Sequence, residues 1–290
     1  MVDVPDGIAP YLSLGVDLTK NRDEWSGECP LCGDNGKFSV VESTSVFHCW
    51  SCEAKGNSTS FVEQLWAVLD EGTKSYTDLA AERKLQPDTL MQWGFVWNPM
   101  NSSWYCPGYN ESGVVRNLYR YAATKDGKRR LMGTTGLSQQ MYGINLYDSK
   151  KKHVMLTEGA WDAMLLWEHL GQCRWENERL VRTASSGNLL VDTSVIGLPG
   201  CTSWYPKWGK LLRGKVVTIM FDNDHERVHE TTGKAIPSGA LGGLRRIISS
   251  LAGTPNQPKE VHYVKWGDEQ EYFTRELPHG YDITDAFHKR

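Results

Sequence analysis

Two Cys-x-x-C pairs are the first residues whose types and spacing could do chemistry: Cys29-Pro30-Leu31-Cys32 and Cys49-Trp50-Ser51-Cys52, with residues 33–48 between them. Each pair can set two thiolates on one tight knuckle, and two knuckles complete a tetrahedral zinc site. Four thiolates fill the coordination sphere of one structural Zn²⁺, so no substrate water binds there. A redox Cys-x-x-C would not need a matched second pair. His48 adjoins Cys49 and could substitute as a ligand, but the spacing favours the cysteines. Cys106, Cys173 and Cys201 have no such partners in sequence and read as ordinary core or surface thiols. Phe47 and Trp50 admit two readings, stacking on nucleobases or packing beneath the knuckles.

The second set of chemical groups is acidic. Glu158 follows an apolar run in Leu156-Thr157-Glu158-Gly159, and Asp222 and Asp224 follow another in Ile219-Met220-Phe221-Asp222-Asn223-Asp224. Residues i and i+2 of a strand share a face, so the aspartates are expected to aim together. In an open parallel sheet ligands bind beyond the carboxyl ends of the strands, where Glu158 and the aspartate pair would converge. Such a cluster repels itself unless a cation is present, and hard oxygen ligands select Mg²⁺ or Mn²⁺. Metals held this way activate a hydroxyl and stabilise charge on phosphoryl oxygens during in-line displacement. Asp162 lies in the first turn of the helix after Glu158. One strand-terminal acid alone is as readily a cap or turn residue; acids ending two neighbouring βα units point to a site.

A basic segment comes third. Between Val114 and Thr134 lie Arg116, Arg120, Lys125, Lys128, Arg129 and Arg130, against the single acid Asp126, in a chain of formal net charge −3. Arg116 and Arg120 share a face of a predicted strand, which suits tracking a phosphate backbone; Lys128 and Arg129 are the other two candidates. Lys125-Asp126-Gly127-Lys128 is also plain turn chemistry.

The elements that must position these groups follow from patterning. The chain has 290 residues, 40% hydrophobic, with 12 Trp and 12 Tyr, room for a core and a small appended module. No apolar run of about 18 residues occurs, and Met-Val-Asp-Val-Pro-Asp lacks the features of a signal peptide. A cytoplasmic, reducing setting with no membrane partner is therefore expected. Residues 1–60 hold too little apolar material for a core, so a metal must supply folding free energy. Phe61, Val62, Leu65, Trp66 and Leu69 predict a helix over 59–69. Short helices are predicted over 76–85 and 87–93, with a linker near 70–76, and residues 94–150 read as strands and turns. Beyond them strands at 153–157, 195–198, 215–221 and 260–265 alternate with helices at 160–170, around 203–212 and at 239–251. That alternation predicts a parallel sheet with covering helices, and 171–193 and 225–238 read as insertions. No G-x-x-x-x-G-K-[ST] phosphate loop occurs, so no ATP-driven motor is expected in this sequence.

With these residues in view, Glu158-Gly-x-x-Asp162-Ala163 and Asp222-x-Asp224 resemble the Toprim fold shared by bacterial and phage primases, topoisomerases and some nucleases. Trp25-Ser-Gly-Glu-Cys29-Pro-Leu-Cys32, Phe47-His-Cys49-Trp-Ser-Cys52, Gly56 and Phe61-Val62 are similar to the zinc-binding domain of DnaG-type primases. Order and spacing match from about residue 10 to 265, and departures begin after Asp224, where His225–Ser238 intervenes before Gly239-Ala240. The resemblance implies an α/β protein, α+β overall: an N-terminal four-cysteine zinc ribbon, a basic mixed α+β subdomain, and a Toprim parallel sheet with helices on both faces. It divides the chain into a zinc ribbon (1–69), a linker or short helix (70–85), a basic subdomain of the polymerase (86–152) and a Toprim catalytic subdomain with an extension (153–290). It implies one to three catalytic Mg²⁺ or Mn²⁺ ions on Glu158, Asp222 and Asp224, with Asp162, Asp282 and Asp285 as further acids. It places template and nucleotide phosphates on Arg116, Arg120, Lys128 and Arg129. The implied activity is synthesis of short RNA primers on a single-stranded DNA template from ribonucleoside triphosphates, a DNA-directed nucleotidyl transfer. A separate replicative helicase would be the partner, and the setting would be host cytoplasm if the protein is phage-encoded. The length suits a stand-alone phage-type protein or a fragment of a larger primase. A zinc/Toprim recombination-mediator adaptor and a Toprim nuclease are the alternatives; a topoisomerase would need a strand-passing gate for which 290 residues are few.

Overall fold

The computed structural model describes residues 5–69, 75–124, 127–171, 188–268 and 270–287, and the backbone alone of 173–176, 179–182 and 288. Most of the predicted linker (70–74), Lys125, Asp126 and the side chain of Cys173 lie outside the described residues. The chain divides into two compact units, residues Met1–Ala80 with Leu90–Gln140, and Ala81–Thr89 with Met141–Arg290.

The first unit begins with a short helix α1 (Ala9–Ser13) and a five-stranded antiparallel ribbon. Its strands are β1 (Thr19–Asn21), β2 (Glu24–Gly27), β3 (Phe38–Val41), β4 (Val46–Cys49) and β5 (Lys55–Gly56), paired in sequence order. Alternation in β3 and β4 sends Phe38, Val40, Phe47 and Cys49 to the buried side. Helix α2 (Ser58–Val68) follows, opened by Asn57, whose side chain accepts the Ser60 N–H at 3.0 Å. Its buried residues Phe61, Val62 and Leu65 form the apolar stripe expected from spacing. Next along the chain come helices α3 (Thr77–Arg83) and α4 (Pro87–Gln92), the stretch Ala81–Thr89 from the end of one to the start of the other being counted with the second unit, and α4 begins at Pro87 as the sequence predicts. Strands β6 (Val96–Asn98), β7 (Ser103–Tyr109), β8 (Val115–Ala123) and β9 (Arg129–Gly133) form an antiparallel meander.

The ribbon does not end in a core of its own. Tyr11, Phe38, Phe47 and Phe61 form an aromatic cluster whose ring centroids lie 4.9–6.2 Å apart. One continuous core joins them to Val96, Tyr105, Val115 and Leu118 of the meander. Asn101 Nδ2 donates to Leu14 O at 2.8 Å, and the Tyr105 hydroxyl donates to the same carbonyl.

The second unit is built on a parallel sheet. Its strands are β10 (His153–Thr157), followed by helix α5 (Ala160–Leu170) and a hairpin of β11 (Cys173–Glu176) and β12 (Arg179–Arg182), then β13 (Thr193–Gly197) and β14 (Val216–Met220). A small hairpin of β15 (Arg227–Val228) and β16 (Ala235–Ile236), helix α6 (Gly239–Leu251), β17 (Glu260–Tyr263) and helix α7 (Ile283–His288) complete it. The two stretches read as insertions thus each carry a two-stranded hairpin. The segment predicted as a helix around 203–212 is a 3₁₀ helix at Pro206–Leu212. Sheet order is β13-β10-β14-β17, every pairing parallel. The inner strand β10 and the edge strand β13 are buried almost throughout, as a sheet covered on both faces requires. With this strand order, the general right-handedness of parallel crossovers assigns α5 to one face and the 3₁₀ helix, against which α6 packs, to the other. The connection after β10 runs one way along the sheet and the connection after β14 runs the other, which makes the gap between their carboxyl ends a topological switch point. Among the described residues no helix is long and apolar enough to cross a membrane.

Candidate functional site

The four cysteines converge. Cys29 Sγ lies 4.0 Å from Cys52 Sγ and Cys32 Sγ 3.8 Å from Cys49 Sγ, and all four sulfurs lie within 4.8 Å of one another. Thiolates at about 2.3 Å around a tetrahedral zinc sit about 3.8 Å apart, so the spacing fits Zn²⁺. The first knuckle closes through Gly33 N–H to Cys29 O at 2.8 Å, the second through Cys49 N–H to Ala54 O at 2.8 Å. Cys29 and Cys49 are buried and Cys32 and Cys52 face outward. His48 takes no part in that group; its ring meets Trp50 edge-on at 4.2 Å. The two aromatic readings divide, since Phe47 is sealed in the aromatic cluster and Trp50 is 72% exposed.

The acids gather at the switch point by a route different from the one expected. β14 stops at Met220, and Asp222 and Asp224 lie on a tight turn past its end, with Asp224 N–H donating to Asp222 O at 2.9 Å. Strand alternation therefore does not bring them together; the turn does. Glu158 sits just past β10, before Gly159, the residue preceding α5. Its carboxylate faces the thiol and backbone N–H of Cys201 and the N–H of Asp222, while Oε2 is buried with no hydrogen-bond partner. Burial, then the charge of Asp224, raises the Glu158 pKa. Burial together with Glu158, Asp162, Asp282 and Asp224 pushes Asp222 up to about 9. Asp162 is pushed up to about 7 by burial and Asp282, against the Thr284 hydroxyl, which donates to its Oδ1 at 2.8 Å. Among the described residues the carboxylates do not close to the mutual spacing of the cysteines. Buried acids lifted by one another, with an orphaned oxygen, form a donor set suited to a hard divalent cation.

Asp282 belongs to this group electrostatically and also caps α7, accepting the Asp285 N–H at 2.7 Å. Asp285 lies in the first turn of α7. Asp224 is held by two contacts: Oδ2 accepts the Ala240 N–H of α6 at 3.3 Å, and Oδ1 lies 3.4 Å from His279 Nε2. His279 Nδ1 accepts the His225 N–H at 3.0 Å, so Nε2 carries the proton toward Asp224. Cys201 is a buried thiol facing Glu158, and burial with the Glu158 charge pushes its pKa up. Gly243 lets α6 approach this wall, since a Cβ there would stand 2.2 Å from Cys201 O.

Asn223, unremarked between the two aspartates in sequence, is fully buried and clamps the turn. Its Oδ1 accepts the Thr274 N–H at 2.8 Å, and its Nδ2 faces Thr274 O at 2.9 Å and Pro278 O at 3.1 Å. Backbone bonds with Tyr281 and Gly280 complete the clamp. These partners lie too far along the chain to leave a local signal. Asn223→Ala strands several buried groups and is expected to cost about 3 kcal/mol, at about 1–3 kcal/mol for each unsatisfied group. Thermal unfolding checks this, and a loss under about 0.5 kcal/mol would contradict the clamp.

The basic candidates lie on the meander of the first unit. Arg116 and Arg120 share the half-exposed face of β8. The Arg116 guanidinium pairs with Glu63 of α2, and Arg120 Nε donates to Ser103 Oγ at 3.0 Å. Lys128 and Arg129 are exposed at the β8–β9 turn, Arg129 over the Tyr121 ring at 4.4 Å.

With this geometry in hand, comparison with known proteins is informative. The sequence profile of the DnaG-type zinc ribbon, the CHC2 zinc finger, matches residues 4–87. A DNA primase of Halalkalibacterium halodurans is 38% identical over 65 residues, which are 22% of this chain and 10% of that protein. The chain is similar to DnaG-type DNA primases. A Listeria monocytogenes DNA primase is 29% identical over 153 residues, 48% of this chain and 22% of that protein. The matched segments thus span a tenth and about a fifth of these primases. A solved DnaG primase catalytic domain bound to single-stranded DNA aligns over 80% of this chain and 74% of its own, with a TM-score of 0.50 and 12% identity. The fold is therefore that of a primase, a four-cysteine zinc ribbon and a parallel sheet within a mixed α+β chain.

Proposed function

We propose that this chain is a DNA primase that joins ribonucleotides into short RNA primers on single-stranded DNA. The carrying observation is the acid group at the switch point, where Glu158 Oε2 is buried without a partner and Asp222 is pushed up to about 9 by its neighbours. Glu158, Asp222 and Asp224 would hold one to three Mg²⁺ or Mn²⁺ ions, with Asp162 and Asp282 behind them. Such ions, when bound, stabilise the charge that develops on phosphoryl oxygens and favour the ionised form of an attacking hydroxyl. His279 and the α6 N-terminus hold Asp224 in one orientation, and Cys201 covers Glu158 on its buried side. The 3′-hydroxyl of one nucleotide attacks the α-phosphate of the next, and pyrophosphate leaves. Arg116, Arg120, Lys128 and Arg129 track phosphates of template or nucleotide, and Trp50 offers a stacking surface to a template base. Duplex opening falls to a separate replicative helicase.

Two labels in one reaction separate the readings. A 5′-labelled single-stranded DNA of mixed sequence is incubated with Mg²⁺ and four ribonucleotides, one carrying a second label at its α-phosphate. Short template-dependent RNA with intact DNA is the expected result. Cleaved DNA would mean that the acids serve a nuclease, and binding with neither product would mean an adaptor.

A further inference from the structure

A cavity of about 290 Å³ opens beside α6 at the edge of the parallel sheet, lined by Leu244, Arg245, Ile248, Tyr263, Lys265 and Tyr272 among others. Tyr263 ends the edge strand β17 and is 42% exposed, and Ile248 is likewise exposed. The Tyr263 and Tyr272 rings lie 28° from parallel with centroids 6.4 Å apart. Leu244 and Ile248 stand one turn apart on α6, giving an apolar floor, and Arg245 is exposed between them. Among the described residues no carboxylate lines the cavity. Asp268 nearby is exposed, and its Oδ1 accepts the N–H groups of its own loop, Gln270 at 2.8 Å and Glu271 at 3.1 Å. The combination of flat apolar walls, aromatic faces and two cations suits a base with its phosphates.

The cavity is also joined to the acid group. Leu241, another of its lining residues, follows directly after Ala240, whose N–H Asp224 accepts. Trp266 Nε1 donates to Phe221 O at 2.7 Å, next to Asp222, and Trp266 N–H donates to Tyr272 O at 2.8 Å. Gly267 permits this fold, because a Cβ there would stand 2.6 Å from Phe273 O. Tyr272 carries this link, its carbonyl accepting the Trp266 N–H and its side chain lining the cavity.

We propose that this cavity is a stacking subsite for one base of a single strand leaving the acid crevice, with Tyr263 as the stacking ring and Arg245 and Lys265 on the flanking phosphates. The identity of the strand as template DNA rests on the primase reading. The test is photocrosslinking of the full chain to a single-stranded DNA carrying 5-iododeoxyuridine, without added divalent metal, followed by peptide mapping. An adduct in the Tyr263 or Tyr272 peptide is expected, kept in Tyr263→Phe and lost in Tyr263→Ala. By anisotropy, Tyr263→Ala is expected to weaken strand binding roughly tenfold, and Arg245→Ala to flatten its salt dependence. Adducts confined to other peptides, with Tyr263→Ala binding as the parent does, would overturn the subsite. Labelling of the cavity by 5-iodouridine triphosphate but not by the oligonucleotide would assign it to a free nucleotide and overturn the strand reading. The binding readout is independent of RNA synthesis: an adduct in a protein that makes no RNA removes the primase reading and leaves the subsite standing.

Discussion

Asp222→Asn is expected to lower RNA synthesis in Mg²⁺ by at least about 10³-fold, the scale on which loss of one strong electrostatic contact to a developing phosphoryl charge is felt. The substitution keeps the size of the side chain, so the effect isolates the charge. Asp222 also gives the metal-free protein a pH signature. Its carboxyl, ordinarily near 3.8, is pushed up to about 9 in the folded chain by burial and by Glu158 first among its neighbours. Between these values the folded state holds a proton that the unfolded state has released. Stability of the metal-free protein therefore falls as pH rises from about 4 to about 9. Asn carries no ionisable proton, so Asp222→Asn flattens this slope and melts higher than the parent at pH 8 in divalent-free buffer that leaves zinc bound. A parent whose melting temperature rises between pH 6 and 8 under those conditions would contradict the burial of this charge.

Loss of zinc is the second large effect. Cys49→Ser is expected to destabilise the first unit by about 5 kcal/mol or more, because binding of structural zinc to such modules is worth on the order of 10 kcal/mol. The damage should not stop at the knuckles. Phe38 and Phe47, carried by β3 and β4, share one core with Tyr105, Val115 and Leu118 of the meander. Hydrogen exchange should show lost protection through β3, β4 and α2 and then β7 and β8, while β10 and β14 in the second unit keep theirs. Protection lost only at residues 29–52 would show that the ribbon is an independent module.

How much of this was legible follows from how local each signal is. The cysteines were readable because zinc ligation demands a spacing that few other functions share. The parallel sheet was readable because β10, β13 and β14 are apolar runs bounded by turns and separated by helical patterns. The convergence of Glu158 with Asp222 and Asp224 followed from a rule about strand ends and open sheets. The means of convergence did not: a turn held by Asn223 replaces the expected strand, and its partners at Thr274 and Pro278 are contacts that no local pattern announces. For the same reason nothing in the sequence singles out His279, and Cys201 reads as a thiol without partners. The single core shared by ribbon and meander was equally hidden, since sequence pattern reports that a face is apolar and not which face it meets.

The most direct test of the central claim is Mn²⁺ binding to the zinc-loaded full chain, followed by electron paramagnetic resonance as the free-ion signal is lost. The acid group predicts saturable binding that tightens from pH 7 toward pH 9, as Asp222 and Asp162 give up their protons, and that weakens at least tenfold in Asp222→Asn and in Glu158→Gln. Binding in both variants equal to the parent's would place the metal elsewhere and remove the catalytic role assigned to these carboxylates.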